Sequence, residues 1–384
     1  MIPSINKIEQ SYRDLVAIGQ SPIKLYSGNP NEHGFHFPPK ILEKVYSRYF
    51  EEQGYEPHPK GLLEARQAIM TYYEKQNARV SSENIILTSG TSESFFYLFS
   101  ILTKPGDNVL CPVPAYPLFD SIAQLTGTRL RHYSLREDAS WSIDLKDLRE
   151  KTDDRTRAIL LISPNNPTGA VISAEEIQEI VDWANQKNIP LICDEVFSEF
   201  YFGKTFPRPM SLAAPRLCFT LNGISKMFAL PGLKLSWIAV TGEEALVDAV
   251  LDSLETRADT FLSCHIPIQK ALPHLFVEGE AFLKEYRDEV KRRRNLAVAL
   301  LTQSPDIRCV SPQGGFYLTA EVTKKLPQAE EEFVIQLMRE KGVFVHPGYF
   351  YDYERGTHLI ISFLTGEAQL TESLRALTQF VAAF

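Results

Sequence analysis

Several features are missing from this chain of 384 residues, and each absence excludes a class of protein. No apolar run approaches the roughly 20 residues that a membrane-spanning helix needs. Residues 1–14 contain no apolar core of a secretion signal, which favours a cytoplasmic protein. The five cysteines are scattered, odd in number and without a CxxC pair, which is typical of reduced core thiols rather than of a disulfide framework.

An excess of positive charge is also missing. The net charge is −8 and the sequence pI is about 5.6, which argues against nucleic acid or an anionic membrane as the main partner. The one basic run, 291–294, is interpreted as the solvated face of a helix. Hydrophobic residues make up 44% of the chain and charged residues 23%, as in an ordinary globular enzyme. We predict no metal site from the sequence.

Short apolar runs alternate with amphipathic stretches through the middle of the chain. The predicted strands are Ile85–Thr88, Asn108–Cys111, Thr128–Tyr133, Ala158–Ile162, Pro190–Asp194, Leu217–Leu221 and Ser236–Val240. Helical stretches such as Ser92–Thr103, Ala174–Lys187 and Glu243–Leu254 lie between some of them. This alternation predicts an α/β fold with a mainly parallel seven-stranded sheet covered by helices.

The length exceeds what a single core usually covers, so we predict two domains. Residues 1–38 are interpreted as an N-terminal arm that forms part of a small domain, and 39–280 as the large domain. Residues 281–384 are predicted to complete a smaller α/β domain. Its expected strands are Tyr317–Ala320, Gly342–Val345 and Leu359–Phe363, after a long helix over Glu278–Leu301.

Three polar residues follow predicted strands at their carboxyl ends. They are Asn166, Asp194 and Lys226. In open α/β sheets ligands bind beyond the carboxyl ends of the strands, so these side chains are expected to share one site. An amide, a carboxylate and an amine suit pyridoxal phosphate, because the lysine forms a Schiff base, the acid pairs with the pyridine nitrogen and a donor faces the ring oxygen. Asp194 could otherwise be a helix cap or a loop acid.

A phosphate site is suggested where the strand that ends at Thr88 leads into a helix. Free N–H groups at a helix N-terminus attract phosphate, and the hydroxyls of Thr91 and Ser92 add donors, although ordinary helix capping would leave the same pattern. Ser225 and Lys234 are further candidate phosphate ligands. Lys234 could equally be a surface lysine.

Eight segments, in this order along the chain, resemble the class I/II aminotransferase family of fold-type-I pyridoxal-phosphate enzymes. They are GYEPHPKGLLEAR, TSGTSES, PAYPLF, SPNNPTG, CDEVF, GISK, LPGLKLSW and GGFYL. The most specific part of the resemblance is SPNNPTG followed downstream by SK, whereas TSGTSES alone is weak.

The resemblance implies a role for each candidate site residue. Lys226 would carry the Schiff base and shuttle the proton, Asp194 would hold the pyridine nitrogen, and Asn166 would bind the ring hydroxyl oxygen and contact substrate. The phosphate ligands would be Thr91, Ser92, Ser225 and Lys234. Tyr116 would stack on the ring, and packing in a loop is its alternative role. Tyr55 would reach the phosphate of a neighbouring subunit in a homodimer with shared active sites, and Gly28 would lie beside the substrate.

The chain departs from the family pattern at two positions. Phe197 stands where the family usually has a tyrosine that donates to the ring oxygen, and losing a donor to a charged oxygen removes roughly 1.5–3 kcal/mol of local interaction. We expect this loss to raise the pKa of the cofactor imine. Ile360 stands where the family usually has an arginine that grips the substrate carboxylate in a bidentate fork.

Three interpretations of Ile360 remain open. The substrate carboxylate is bound by another side chain, of which His358, Arg355 and His36 are the candidates; or the substrate is an amine without a carboxylate; or Ile360 is a core strand residue in a degenerate site. The favoured function is an aminotransferase that moves an amino group between an amino acid or amine and a keto acid. The alternatives are a lyase, decarboxylase or oxidase, or a weakly catalytic protein that binds pyridoxal phosphate.

Overall fold

A computed structural model of the chain describes residues 6–55 and 57–384. In these residues the strands are β1 (Ile23–Lys24), β2 (Ile85–Thr88), β3 (Asn108–Val113), β4 (Arg129–Arg136), β5 (Ser142–Ile143), β6 (Thr156–Ile162), β7 (Leu191–Asp194), β8 (Leu217–Gly223), β9 (Ser236–Gly242), β10 (Ile307–Cys309), β11 (Tyr317–Val322), β12 (Val343–Phe344), β13 (His346–Pro347) and β14 (Thr357–Ser362).

Helices separate most of these strands. They are α1 (Lys7–Ala17), α2 (Pro39–Glu52), α3 (Leu63–Glu74), α4 (Thr91–Leu102), α5 (Leu118–Thr126), α6 (Leu145–Lys151), α7 (Ala174–Lys187), α8 (Pro209–Leu212), α9 (Ile224–Met227), α10 (Glu244–Phe261), α11 (Ile266–Glu278), α12 (Glu280–Leu301), α13 (Glu330–Lys341) and α14 (Glu367–Ala382). Over the described ranges, none of them combines the length and the apolar character that crossing a bilayer would require.

The larger sheet has eight strands in the order β2-β9-β8-β7-β6-β3-β4-β5. Its central strands β8, β7, β6, β3 and β4 run parallel, while β9 is antiparallel to both β2 and β8. All seven predicted strands are present, and the α/β class is confirmed. The eighth strand, β5, was not predicted because it has only two residues, paired antiparallel with the end of β4.

Burial on both faces explains why the central strands are almost wholly apolar. All four residues of β7 are buried, as are six of the seven in β6. One face packs against α4, α5 and α10, and the other against α7. Helix α7 begins at a capping box, in which Ser173 and Glu176 satisfy each other's backbone N–H groups. Covered parallel strands of this kind are the usual core of an α/β fold.

The smaller sheet has four antiparallel strands in the order β10-β11-β14-β13. The N-terminal arm reaches this part of the chain, because Ile23 in β1 pairs with Val343 in β12. One predicted strand is wrong in detail: Gly342–Val345 is not continuous. Only Val343 and Phe344 form a strand, β12, which pairs with β1. The chain then changes partner at Val345, so that β13 pairs with β14. A local apolar run cannot reveal such a change of partner.

Strand direction brings the carboxyl ends of several strands to one edge of the large sheet. Strands β3, β6, β7 and β8 are parallel and therefore end at the same edge. Strand β2 points the same way as β8, since both are antiparallel to β9. The segments that follow these five strands consequently surround one region, which contains the candidate site.

Candidate active site

A cavity of about 230 Å³ lies at this edge of the large sheet. Seven residues predicted from the sequence line it: Thr91, Ser92, Tyr116, Asn166, Asp194, Ser225 and Lys226. They come from five separate segments, each of which follows a different strand of the sheet. Their convergence is therefore a consequence of the strand order and not of closeness along the chain.

Lys226 projects into the cavity from the short helix α9, directly after β8. Its Nζ donates a hydrogen bond to the carbonyl oxygen of Gly28, 2.8 Å away, and lies 5.9 Å from the ring centres of both Phe197 and Phe316. Burial disfavours the charged ammonium and lowers the pKa of Lys226 to about 8. At mildly alkaline pH a large fraction of this amine is neutral, and a neutral amine is both a nucleophile and a base.

Asp194 ends the buried strand β7, with its carboxylate at the cavity. Burial raises the pKa of Asp194 to about 7, and the like charge of Glu195 acts in the same direction. The N–H of Val196, which donates to Oδ1 at 3.1 Å, opposes this rise only in part. None of the described cationic side chains forms an ion pair with it. A carboxylate that lacks a counter-charge is well placed to receive a protonated ring nitrogen.

Asn166 carries an unpaired polar atom. Its side chain is only 9% exposed, and Oδ1 has no hydrogen-bond partner among the described residues. The oxygen and nitrogen of an amide side chain exchange places by a half-turn of the group, so either atom can face the cavity. Phe197, which lies in the same wall, is buried and offers no hydroxyl. Asn166 is therefore the side-chain donor that this wall can present to a ligand oxygen.

The proposed phosphate corner is formed by the N-terminus of α4. Thr91 and Ser92 begin this helix and both line the cavity. Gly90 precedes them with φ +144°, and a Cβ placed there would lie 3.4 Å from Nζ of Lys234. Lys234 does not itself line the cavity, but its amine stands beside this helix terminus. Free backbone N–H groups, hydroxyls and an ammonium group are the donors that typically bind a phosphate group.

Tyr116 and Gly28 meet the site in different ways. Tyr116 lines the cavity and is partly exposed, so its ring is accessible to a planar ligand. Gly28 contacts Lys226 through its carbonyl oxygen. Tyr55 is different: it is 63% exposed and does not line the cavity of its own chain. A contact of Tyr55 with the site of a second copy of the chain stays a prediction.

His358 is placed apart from this cavity. It is buried in β14, its imidazole pairs with Glu137 at 3.2 Å, and it lines a second cavity together with Arg355. His36 is an exposed surface residue. His358 and Arg355 therefore border the second cavity and not the one around Lys226, so neither is placed to bind a substrate carboxylate there.

Ile360 is fully buried in β14 and belongs to the core of the smaller sheet. It pairs with Thr319 in β11, two residues after Tyr317. Directly paired residues share a face of the sheet, as do residues two apart, so Ile360 lies on the same face as Tyr317. Tyr317 lines the cavity. The face that looks toward the cavity thus carries an aliphatic side chain at this position.

Among the lining residues that were not singled out from the sequence, two carry a hydroxyl group, Tyr317 and Ser236. Tyr317 stands so close to Gly28 that a Cβ on this glycine would lie 1.7 Å from the tyrosine Oη. Ser236 begins β9 and lies against Gly223, where a Cβ would be 2.2 Å from its Oγ. Both residues belong to segments that carry the family resemblance, GGFYL and LPGLKLSW. That resemblance is the sequence signal from which they could have been predicted as site residues.

These residues fit pyridoxal phosphate. The buried amine, the unpaired carboxylate and the unpaired amide atom lie around one cavity, and the helix terminus with Lys234 lies at one side of it. Each of the four groups matches one functional part of that cofactor: its aldehyde, ring nitrogen, ring oxygen and phosphate. A ligand that carried only one of these parts would leave the other groups unexplained.

Comparison with known proteins adds an independent result. The family described as aminotransferase class I and II matches residues 22–377. The chain is 33% identical to the glutamate-pyruvate aminotransferase AlaA of Haemophilus influenzae over 373 residues, which is 95% of this chain and 92% of that protein. It is 28% identical to the alanine aminotransferase of Mycobacterium tuberculosis over 385 residues, 98% of this chain and 89% of that one.

A solved structure agrees closely with the fold. The alanine aminotransferase from Pyrococcus furiosus superposes with a TM-score of 0.93 and 27% identity, and the match covers 98% of this chain and 96% of the other. An aminotransferase from Escherichia coli matches with a TM-score of 0.92, 30% identity and coverage of 99% and 95%. The likeness therefore extends over both sheets.

Proposed function

We propose that this chain, which belongs to the class I and II aminotransferase family, moves an amino group between an amino acid or amine and a keto acid at the cavity of Lys226. Membership makes the chain a transferase of amino groups and does not favour a lyase, a decarboxylase, an oxidase or a purely binding role. The observation that carries the proposed site is the buried Lys226 amine, which shares one cavity with Asp194 and the N-terminus of α4.

The proposed assignment of residues to parts of pyridoxal phosphate is supported by their places around the cavity. Asp194 would face the ring nitrogen and Asn166 the ring oxygen, while Tyr116 would cover one face of the ring. The phosphate would be bound by Thr91, Ser92, Ser225 and Lys234. When bound, the cofactor supplies a conjugated ring that withdraws electrons from the substrate carbon and acidifies its proton.

Two side chains would then control the proton. Asp194, as a carboxylate, would favour the protonated ring nitrogen, and that positive charge strengthens the electron withdrawal. Lys226 would carry the proton between the substrate carbon and the cofactor carbon, since burial lowers the pKa of its amine to about 8. The carbonyl of Gly28, 2.8 Å from Nζ, would hold this amine in place.

The relatives suggest where to look for substrates. Those named above are called glutamate-pyruvate and alanine aminotransferases, so alanine with 2-oxoglutarate, and glutamate with pyruvate, are the first pairs to test. Ile360 raises a separate question, because a buried carboxylate without a cationic partner costs free energy. Among the described residues that line the cavity, Lys226 is the only cation. We therefore include amines without a carboxylate among the donors.

The test is a visible absorption spectrum of the purified protein with added pyridoxal phosphate. We expect a band that shifts to that of pyridoxamine phosphate when a donor is added and returns when a keto acid follows. Alanine and ethylamine form a matched pair of donors that differ only in the carboxylate. A preference for ethylamine would mean that Ile360 marks a changed substrate class, and a preference for alanine would mean that the carboxylate is bound in another way.

Lys226→Ala is the control variant. It should bind the cofactor without the Schiff base and should lose the donor-dependent shift. A Lys226→Ala protein with an unchanged spectrum would contradict the assignment of Lys226. A stable band in the unaltered protein that no donor shifts would contradict amino-group transfer itself.

Three further proposals complete the description. We propose a homodimer with shared sites, supported by the exposure of Tyr55 and its absence from its own chain's cavity. We propose the division into 1–38, 39–280 and 281–384, supported by the two separate sheets and by the pairing of β1 with β12. A cytoplasmic location is proposed from the acidic composition and the unpaired, mostly buried cysteines.

A further inference from the structure

A second cavity, of about 600 Å³, lies between the end of β4 and the smaller sheet. It has no part in the chemistry proposed above. Its inner wall is formed by His358 in β14, Glu321 in β11 and Glu137, which follows β4. One ligand atom from each of these three residues lies within 4.8 Å of the other two. Imidazole and carboxylate groups together are a ligand set for borderline divalent metals such as Zn²⁺.

The His358 ring has one satisfied nitrogen and one unsatisfied nitrogen. Nε2 lies 3.2 and 3.3 Å from the two oxygens of Glu137, which also accepts a hydrogen bond from Tyr353. With Nε2–H donating to this carboxylate, the lone pair of Nδ1 is free. The residue is only 1% exposed, and Nδ1 has no partner among the described residues. A buried acceptor without a donor is costly unless a ligand satisfies it.

Glu321 faces the same place. Its Oε2 is 2.6 Å from the guanidinium of Arg308, whereas Oε1 points toward Gly356. A Cβ on Gly356 would lie 3.4 Å from Oε1 of Glu321 and 3.7 Å from Nδ1 of His358. The space above this glycine is therefore bordered by a carboxylate oxygen and by the unpaired imidazole nitrogen, and it opens to a cavity that can supply water ligands.

We propose that His358 and Glu321 bind a divalent transition-metal ion of the zinc type, with Glu137 as the carboxylate that orients the imidazole. A carboxylate that accepts the second N–H of a metal-binding histidine fixes the tautomer and raises the basicity of the ligand. The cavity as a whole favours a cation, because six acidic side chains, Glu137 and Glu321 included, face four basic ones around it. The additional acids are Asp138, Asp144, Asp147 and Glu150.

The metal would connect the two sheets of the protein. His358 and Glu321 belong to the four-stranded sheet, whereas Glu137 follows a strand of the eight-stranded sheet. Strand β11 carries Tyr317 at the first cavity and Glu321 at the second, four residues apart and on the same face. A metal at this position would hold the wall of the catalytic cavity against the larger sheet and would stabilise the folded protein by mass action.

The experiment is a titration of ZnCl₂ into the full chain, saturated with pyridoxal phosphate and freed of metal with a chelator, followed by calorimetry and thermal unfolding. We expect one ion per chain, a dissociation constant on the order of micromolar, and a higher Tm with zinc. His358→Gln and Glu321→Gln should each weaken binding at least tenfold, and Glu137→Gln by about 10- to 100-fold.

Two matched variants serve as controls. Glu150→Gln removes an exposed acid from the same cavity and should leave the affinity unchanged. Cys309→Ser tests whether the thiol in the neighbouring strand β10, which pairs with the residue before Glu321, is the true ligand, and it too should have no effect. If His358→Gln unfolds without metal, the Glu321→Gln protein answers the same question. The proposal is overturned if zinc does not bind, if binding survives both ligand substitutions, or if it disappears with Cys309→Ser.

Discussion

Burial changes the pKa values of two side chains in the catalytic cavity in opposite directions. It raises the pKa of Asp194 to about 7 and lowers the pKa of Lys226 to about 8, because in each case the charged form loses its hydration. The titration midpoint of each residue thereby comes close to physiological pH when no cofactor is bound. Both would regain a favourable charge state when a ligand with a cationic ring and an aldehyde enters the cavity.

The pKa of Lys226 predicts how fast the cofactor-free protein captures pyridoxal phosphate. The neutral amine attacks the aldehyde, so the rate should rise with pH and reach half of its maximum near pH 8, well below the value of 10.5 for an ordinary lysine. Stopped-flow absorbance of the forming Schiff base measures this rate. An inflection at or above pH 10 would show that the amine is not desolvated as the structure implies.

The pKa of Asp194 predicts the stability of the cofactor-free protein. A carboxyl whose pKa is raised by folding contributes stability at low pH and loses it as the pH increases from about 4 to about 7. Without cofactor, Asp194→Asn should therefore be more stable than the unaltered protein near pH 8, and the difference should vanish near pH 4. Urea unfolding at the two pH values measures it.

Pyridoxal phosphate provides the control for that prediction. Added cofactor should stabilise the unaltered protein more than Asp194→Asn at about pH 8, because only the carboxylate gains a charged partner. Equal stabilisation of both proteins would mean that Asp194 does not face the ring nitrogen.

At the scale of elements, the important contact is the one between the N-terminal arm and β11. The arm passes Tyr317 at Gly28, where no side chain fits, and the carbonyl of the same glycine accepts from Lys226. We predict that Gly28→Ala lowers the free energy of unfolding by about 1–3 kcal/mol, the usual range for overpacking, and weakens cofactor binding. Chemical denaturation and a cofactor titration measure the two effects.

Gly54→Ala is the matched control for Gly28→Ala. None of the described residues lies within 4 Å of a Cβ at Gly54, so this change should alter neither quantity. Combining Gly28→Ala with Tyr317→Leu, which shortens the colliding side chain, should recover part of the lost stability. A Gly28→Ala protein as stable as the unaltered one would mean that the arm does not approach β11 so closely.

At the scale of the whole molecule, the proposed dimer can be tested by complementation. If Tyr55 acts in the neighbouring site, Lys226→Ala damages the site of the subunit that carries it. Tyr55→Phe then damages the site of the other subunit. A mixed dimer of the two variants then contains one site with both residues intact, so mixing after reversible dissociation should restore transaminase activity above that of either variant alone. Steady-state assays of the mixture measure the gain. Activity no higher than the average of the two variants would indicate that Tyr55 acts within its own chain or not at all.

The sequence by itself determined the α/β class, the seven main strands and seven of the residues that line the catalytic cavity. These follow from local signals: apolar strands buried on both faces, and polar groups immediately after them, such as Asn166, Asp194 and Lys226. Parallel strands bring their carboxyl ends to one edge, so a pattern along the chain was enough to place these groups together. The family was evident from motifs in the same segments.

Only the tertiary structure decided how distant strands are placed side by side. In the folded protein the residues at the end of β4 lie beside β14. His358 therefore pairs with Glu137, 221 residues away in sequence, and not with a substrate in the catalytic cavity. It also decided that Tyr317 packs against Gly28 and that the arm pairs with β12. Contacts of this kind depend on the register between strands and on which strands pair. The local sequence of an apolar strand does not indicate which other strand it will pair with.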